Sequence, residues 1–106
     1  MKNCSANLTK NVDQAAKLLS TMGNARRLQI ICILLNSEIA VGALAEKIGL
    51  SQSALSQHLA KLRKLNLVTA RRDAQHLYYS LNSDAAVKVL ETLETIYGDT
   101  KAKAHS

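Results

Sequence analysis

The chain has 106 residues, of which 47% are hydrophobic, and this predicts one small globular domain with a packed core. Its longest unbroken apolar run, residues 30–35, is far below the roughly 18 residues of a membrane span, and residues 1–7 lack the apolar segment of a secretory signal. We therefore expect a cytoplasmic protein that does not enter a membrane. Basic residues number 14 against 8 acidic ones, and the net charge of +6 suggests a polyanionic partner.

The first part of the chain carries two stretches of helical periodicity. The first predicts a helix over about residues 9–22, with apolar side chains at helical spacing at Leu8, Val12, Ala15, Ala16, Leu19 and Met22. Gly23-Asn24 then suits the end of one helix and the start of the next. The second helix is expected to end near residues 36–37 and to face the core with a stripe of Leu28, Ile31, Cys32 and Leu35. On this interpretation Cys32 is a small buried hydrophobe.

Residues 41–64 predict two helices joined by a tight turn. The first takes about two turns, Gly49 can adopt the left-handed conformation that ends it, and Ser51 can cap the helix that begins at Gln52. On this second helix one buried stripe is formed by Leu55, Leu59 and Leu62. The remaining surface of the helix is then small, polar and basic.

A change of periodicity from 3.6 to 2 follows Asn66. Residues 67–72 and 76–81 are rich in β-formers, and residues 73–75 are short enough to join them as a hairpin. We expect the tip of this hairpin to carry the neighbouring Arg71-Arg72 pair.

The last apolar stripe predicts a final helix with Asn82 or Ser83 as its cap and with Ala86, Leu90, Leu93 and Tyr97 on its buried face. The expected fold is therefore mainly α with a small β-hairpin, in the order α-α-α-α-β-β-α. It would occupy residues 8–98, between a disordered N-terminal tail of residues 1–7 and a polar C-terminal tail of residues 99–106.

The spacing of residues 41–60 is typical of a helix-turn-helix, in which the second helix enters the major groove of DNA. Polar groups at the start of that helix can bond base edges, whereas the cations further on suit phosphates. The segment of residues 51–75 carries five basic side chains and one acidic one, in agreement with this function. The candidate DNA-binding residues are Gln52, Ser53, Ser56, Gln57, His58, Lys61, Lys64, Arg71 and Arg72.

Three segments, residues 22–31, 41–62 and 68–80, resemble the ArsR/SmtB family of bacterial winged-helix repressors, and most of all its NolR/HlyU-like branch. The resemblance implies a winged helix-turn-helix, a homodimer joined through its first and last helices, and double-stranded DNA as partner. The terminal stripes agree, because they are wider than so short a chain comfortably buries. We therefore predict a homodimeric transcriptional regulator, a repressor that occupies a pseudo-palindromic promoter operator.

The same family includes metal sensors, and their ligand positions can be followed along this chain. The family's thiolate pair would fall at Ala40 and Gly42, and its pattern in the last helix reads here Asp84, Ala86 and Tyr97. One carboxylate cannot hold zinc or a softer metal. No metal and no cofactor are therefore expected.

The cysteines leave an alternative open. Cys32 corresponds to a helix-two cysteine of HlyU-like members, which resemble repressors that use a second cysteine near the end of the last helix, where this chain has Gly98. Cys4 could substitute for it, although a disulfide needs Cα atoms within about 7 Å. A thiol-based redox-responsive or persulfide-responsive repressor, with Cys32 and Cys4 as its sensing residues, is therefore the alternative function.

Two other classes compete with a DNA-binding regulator. An enzyme is not expected, since the sequence has no glycine-rich phosphate loop, close carboxylate pair or nucleophile with a recognisable base. A winged-helix adaptor that binds protein would tolerate acidic or apolar residues on the exposed face of residues 52–64, and this face has neither. RNA is disfavoured because its narrow A-form major groove does not admit a helix.

Overall fold

The computed structural model describes residues 3–98, which form six helices and a three-stranded antiparallel sheet. The helices are α1 (Ala6–Lys10), α2 (Val12–Met22), α3 (Ala25–Leu34), α4 (Val41–Ile48), α5 (Gln52–Lys64) and α6 (Asp84–Tyr97). The strands are β1 (Ile39–Ala40), β2 (Val68–Asp73) and β3 (His76–Leu81). This confirms a mainly α fold with a β-hairpin before the last helix. Within residues 3–98 no helix combines the length and the apolar character needed to cross a membrane.

The first predicted helix is divided into two. Asn11 lies between α1 and α2 with φ −104° and ψ 21°, outside the helical region, and its side chain donates to the carbonyl of Asn7 at 2.9 Å. Asparagine competes in this way for backbone groups and so interrupts helices. Helix α1 also begins at Ala6, inside the segment predicted as a tail, because Ser5 accepts a hydrogen bond from the Leu8 amide at 3.1 Å. The predicted C-terminal tail, residues 99–106, lies outside the described residues.

Helices α3 and α6 begin where their polar caps predict. Asn24 accepts from the amides of Arg26 and Arg27 at the start of α3. Ser83 accepts from the Ala86 amide at the start of α6, so Ser83 rather than Asn82 is the cap. Such caps stabilise a helix by about 0.5–2 kcal/mol each, because they satisfy amides that have no partner inside the helix.

The sheet has the strand order β1-β3-β2. The two-residue strand β1 pairs with β3 through Ile39 and Tyr79, and it is too short to leave a periodic signal in the sequence. In the hairpin Asp73 pairs with His76, so the loop contains two residues, Ala74 and Gln75, rather than the predicted three. The expectation that Arg71 and Arg72 form the tip is wrong, because both lie within β2.

The core is built from aliphatic side chains of α2 to α6, the sheet and the segment before β2. Its buried members are Met22, Ile30, Ile31, Leu34, Leu44, Ala45, Ile48, Leu55, Leu59, Leu62, Leu67, Val68, Tyr79, Ala86 and Leu90. On α3 the predicted stripe is correct for Ile31, which is buried, and for Leu28, which packs against the core, but wrong for Cys32 and Leu35, which are exposed. Residues 30–35 are all apolar, so the sequence pattern alone does not distinguish the two faces.

Large apolar side chains remain exposed on α2 and α6. Exposed fractions reach 55% for Val12, 59% for Leu19, 54% for Ile96 and 73% for Tyr97. Exposed Leu35 and Tyr97 both line a wide apolar cleft of about 580 Å³ between α3 and α6. An exposed apolar cleft of this kind marks an interaction site.

Candidate nucleic-acid interface

The turn between α4 and α5 has the geometry that its residues predict. Gly49 ends α4 with φ 80° and ψ 36°, the left-handed conformation that glycine adopts at no steric cost. Ser51 accepts a hydrogen bond from the Ala54 amide at 3.1 Å and so begins α5 two residues further on. The two helices therefore form a compact helix-turn-helix.

Three leucines fix the orientation of α5. Leu55, Leu59 and Leu62 are at most 1% exposed and face the core. Truncating a leucine at such a site to alanine typically costs about 2–5 kcal/mol. The rest of the helix surface is thereby held in one direction.

Six predicted DNA-binding residues lie exposed on that surface: Gln52, Ser53, Ser56, Gln57, Lys61 and Lys64. Ser53 and Gln57 are one helical turn apart on the side opposite the buried leucines. Gln52 lies to one side, close to the start of α4, where a Cβ at Gly42 would be 3.7 Å from its Nε2. No acidic residue occurs on α5, so this face presents polar groups near its start and cations near its end.

His58 differs from these six because its ring is half-buried against α3. Its Nδ1 lies 3.4 Å from Nη1 of Arg27, whose Nε donates to the carbonyl of Thr21 at 2.6 Å. Partial burial and the positive charges of Arg27, Lys61 and Arg26 lower the pKa of His58, so the ring is neutral at pH 7. Sequence reasoning missed Arg27, because its contact with His58 joins residues 31 apart in the chain.

The two arginines of β2 have different surroundings. Arg71 donates to both carboxylate oxygens of Glu38, from Nε at 3.0 Å and from Nη2 at 2.7 Å. Its guanidinium carbon also lies 4.9 Å from the ring centre of Tyr78, and Asp73 is 3.9 Å from Nη1. The hydrogen bonds with Glu38 lower the pKa of that carboxyl group and raise the pKa of Arg71. Arg72 is exposed, and strand alternation directs it to the opposite face of the hairpin.

Both cysteines are exposed free thiols, so the expectation that Cys32 is buried in the core is wrong. Ile30 and Leu34 take the core positions on α3, which leaves Cys32 on the wall of the apolar cleft beside α6. Partial burial there, together with the carboxylate of Glu94, raises the pKa of the Cys32 thiol. Since the thiolate is the reactive form, this position disfavours thiol chemistry.

The positions at which metal-sensing members of the family have ligands do not bring ligand side chains together in the described residues. Among residues 3–98 no three histidine, cysteine, aspartate or glutamate side chains come together as a metal would need. Asp84 lies in the first turn of α6, where a carboxylate suits the positive end of the helix dipole.

A helix-turn-helix with an outward recognition helix, followed by a β-hairpin and a closing helix, defines the class of winged helix-turn-helix proteins. Residues 24–70 match the family model described as bacterial regulatory protein, arsR family. The chain belongs to this family, and it is a DNA-binding transcriptional regulator.

Named relatives support the assignment along most of the chain. The nodulation protein NolR of Rhizobium meliloti is 59% identical over 90 residues, which cover 85% of this chain and 74% of that protein. The transcriptional activator HlyU of Vibrio cholerae is 48% identical over 90 residues, covering 85% of this chain and 83% of HlyU. The crystal structure of NolR from Sinorhizobium fredii has a TM-score of 0.81 at 54% identity and covers 92% of this chain and 98% of that one. The resemblance found in the sequence is thereby confirmed.

Proposed function

We propose that the protein is a homodimeric repressor that places α5 of each subunit in the major groove of a pseudo-palindromic operator. The observation that carries this proposal is the exposed face of α5, which is polar near its start, basic near its end and free of carboxylates. Such a face suits base edges and phosphates in turn. The three buried leucines beneath it give the helix the rigid support that accurate reading needs.

The exposed side chains divide between reading and positioning. Ser53 and Gln57 lie outermost and bond base edges, with Gln52 and Ser56 beside them. Lys61 and Lys64, together with Arg72 on the wing, bind phosphates and fix the register of the protein on the duplex. The wing is the hairpin of β2 and β3.

Arg71 and His58 act from behind the contact surface. The donors of Arg71 already face Glu38, so we assign it to holding the wing rather than to binding a phosphate. The neutral ring of His58, packed beside Arg27, holds the middle of α5 against α3.

The homodimer is supported by the apolar side chains that α2 and α6 leave exposed. Val12, Leu19, Ile96 and Tyr97 are each more than half exposed, which is unfavourable in water and favourable once a second copy covers them. A two-fold dimer also presents two recognition helices to two half-sites, about 34–36 Å apart for one turn of DNA. Repression then follows from occupancy, because a dimer on a promoter excludes polymerase.

Selection of bound duplexes from a random pool, with reduced and with oxidised protein, tests the function. We expect one palindromic sequence under both conditions, since the raised pKa of Cys32 keeps its thiol protonated. Gln57→Ala should cost roughly 1–3 kcal/mol at the selected operator and little on random DNA, because the lost bonds go to base edges. Gln29→Ala, on exposed α3 surface, is the matched control. No enriched duplex, or equal losses on both DNAs, would contradict the proposal.

The dimer has its own test. Leu19→Glu should produce monomers in sedimentation and abolish operator binding, because it places a charge in the apolar contact. Gln29→Glu, on the exposed surface of α3, controls for the added charge and should remain dimeric. A Leu19→Glu protein that stays dimeric would move the interface elsewhere.

A further inference from the structure

A cleft of about 510 Å³ lies between the second half of α2 and the second half of α5. Six polar side chains line it: Lys17, Ser20 and Thr21 from α2, Arg27 from α3, and Lys61 and Lys64 from α5. Of these only Lys61 and Lys64 belong to the recognition helix. The cleft therefore adds a second element, α2, to the surface that surrounds the end of α5.

No carboxylate balances this group of cations. Within residues 3–98 the ion pairs all involve Arg71, and none reaches Lys17, Arg27, Lys61 or Lys64. Like charges held close together repel one another, so four unpaired cations around one cleft are unfavourable without an anion. A phosphate group has the charge and the acceptor oxygens to meet both lysine and arginine donors.

Arg27 is held ready for such a group. Its Nε is fixed by the carbonyl of Thr21 at 2.6 Å and its Nη1 lies beside the His58 ring, so the plane of the guanidinium is set before any ligand arrives. The third nitrogen, Nη2, makes no hydrogen bond to residues 3–98. A preset donor costs less entropy on binding than a free side chain does.

The geometry of α2 and α5 brings DNA to this cleft. At 1.5 Å per residue the 13 residues of α5 span about 20 Å, longer than the roughly 12 Å width of the major groove, so the end of the helix reaches the phosphates at its edge. Lys17 and Thr21 also lie on the side of α2 roughly opposite to Val12 and Leu19, and Ser20 lies about a quarter turn from them. The cleft thus stays open when the apolar faces of two subunits meet.

We propose that this cleft binds a phosphate of the DNA backbone, and that Lys17 and Arg27 thereby anchor the duplex from outside the helix-turn-helix and the wing. This inference rests on the proposed function. The same phosphate chemistry occurs in free phosphorylated metabolites. Binding of duplex DNA and binding of inorganic phosphate are therefore measured separately.

The first measurement is the salt dependence of binding to a random-sequence duplex. Lys17→Gln should lower the slope of log K against log salt by about 0.9 per subunit, because one phosphate contact and its released counterions are lost. Lys88→Gln, an exposed lysine on α6, is the matched control and should keep the slope. Arg27→Lys keeps the positive charge but loses the planar set of guanidinium donors. It should weaken binding with a nearly unchanged salt slope.

His58 supplies a second readout. Burial, together with the charges of Arg27, Lys61 and Arg26, depresses its pKa, and two of these cations, Arg27 and Lys61, line the cleft. A bound phosphate offsets these charges, so the pKa of His58, followed by NMR, should rise when the duplex is added to the wild type. The rise should be smaller in Lys17→Gln.

Two outcomes would overturn the inference. One is an unchanged salt slope in Lys17→Gln together with no change at His58. The other is a rise in the His58 pKa with millimolar inorganic phosphate while DNA binding is insensitive to Lys17, which would make the cleft a site for a free anion. In both cases the proposed function would still hold if Gln57→Ala loses affinity for the selected operator and little for random DNA.

Discussion

Arg71 on the wing and the cations of the cleft between α2 and α5 have opposite surroundings. Arg71 meets a carboxylate with two hydrogen bonds, at 3.0 and 2.7 Å, and stacks near Tyr78. The four cations of the cleft have no carboxylate partner within residues 3–98. A paired cation positions a strand, whereas an unpaired one keeps its charge for an external anion, so net charge alone does not locate a DNA contact.

The largest effect is expected when the cleft receives a carboxylate of its own, as Arg71 has in Glu38. Ser20→Glu places a carboxylate among the four cations, where it would pair with one of them and repel phosphate. We expect affinity for any duplex to fall about tenfold, or ~1.4 kcal/mol, with a smaller salt slope. Gln29→Glu adds the same charge outside the cleft and serves as control. Equal affinity in both variants, measured by fluorescence anisotropy, would show that the cleft does not meet DNA.

The next largest effect separates the two wing arginines. Arg72→Ala should reduce the salt slope by about 0.9 per subunit, because its exposed side chain binds a phosphate. Arg71→Ala removes the same charge but should keep the slope, since its donors already face Glu38. Its affinity should still fall, because the wing is held less firmly. If the slope falls instead in Arg71→Ala, the pair with Glu38 opens on DNA and the contrast between the two regions fails.

The sequence predicts what depends on neighbours in the chain. Caps such as Asn24 and Ser51 and the left-handed Gly49 are local features, and all three are found as predicted. Pairing across the fold is different, because Glu38 and Arg71 are 33 residues apart and no periodicity relates them. The exposure of Cys32 could not be predicted from the sequence either, since a fully apolar run does not indicate which of its faces meets the core.

A smaller effect is expected from acid at the ion pair of Glu38 and Arg71. The pKa of Glu38 lies below its unfolded value of about 4.3, so the pair with Arg71 is complete above that pH and is lost as the pH falls through the lower folded value. In a His76→Gln background, chosen because the His76 ring lies 6.1 Å from that of Tyr78, the Nε resonance of Arg71 should therefore be constant from pH 8 to 5 and move only below the unfolded value of about 4.3. Glu38→Gln should remove this transition. A transition near pH 6 would assign the wing to a different titrating group.

The smallest effect tests whether the turn of the wing, in addition to the pair of Glu38 and Arg71, fixes the position of the wing. Ala74 opens the two-residue loop with φ 57°, a left-handed conformation that costs a residue with a Cβ about 1–2 kcal/mol. Glycine adopts it freely but gains more freedom in the unfolded chain, which offsets about 0.5–1 kcal/mol of the benefit. Ala74→Gly should therefore raise the free energy of unfolding by roughly 0.5 kcal/mol, measured by urea denaturation.

The salt slope on DNA should stay unchanged, because the turn carries no cation and Glu38 still holds Arg71. Gln75→Gly, at the other loop position without a positive φ, should destabilise instead. If Ala74→Gly weakened DNA binding at unchanged stability, the rigid turn rather than the pair of Glu38 and Arg71 would set the position of the wing.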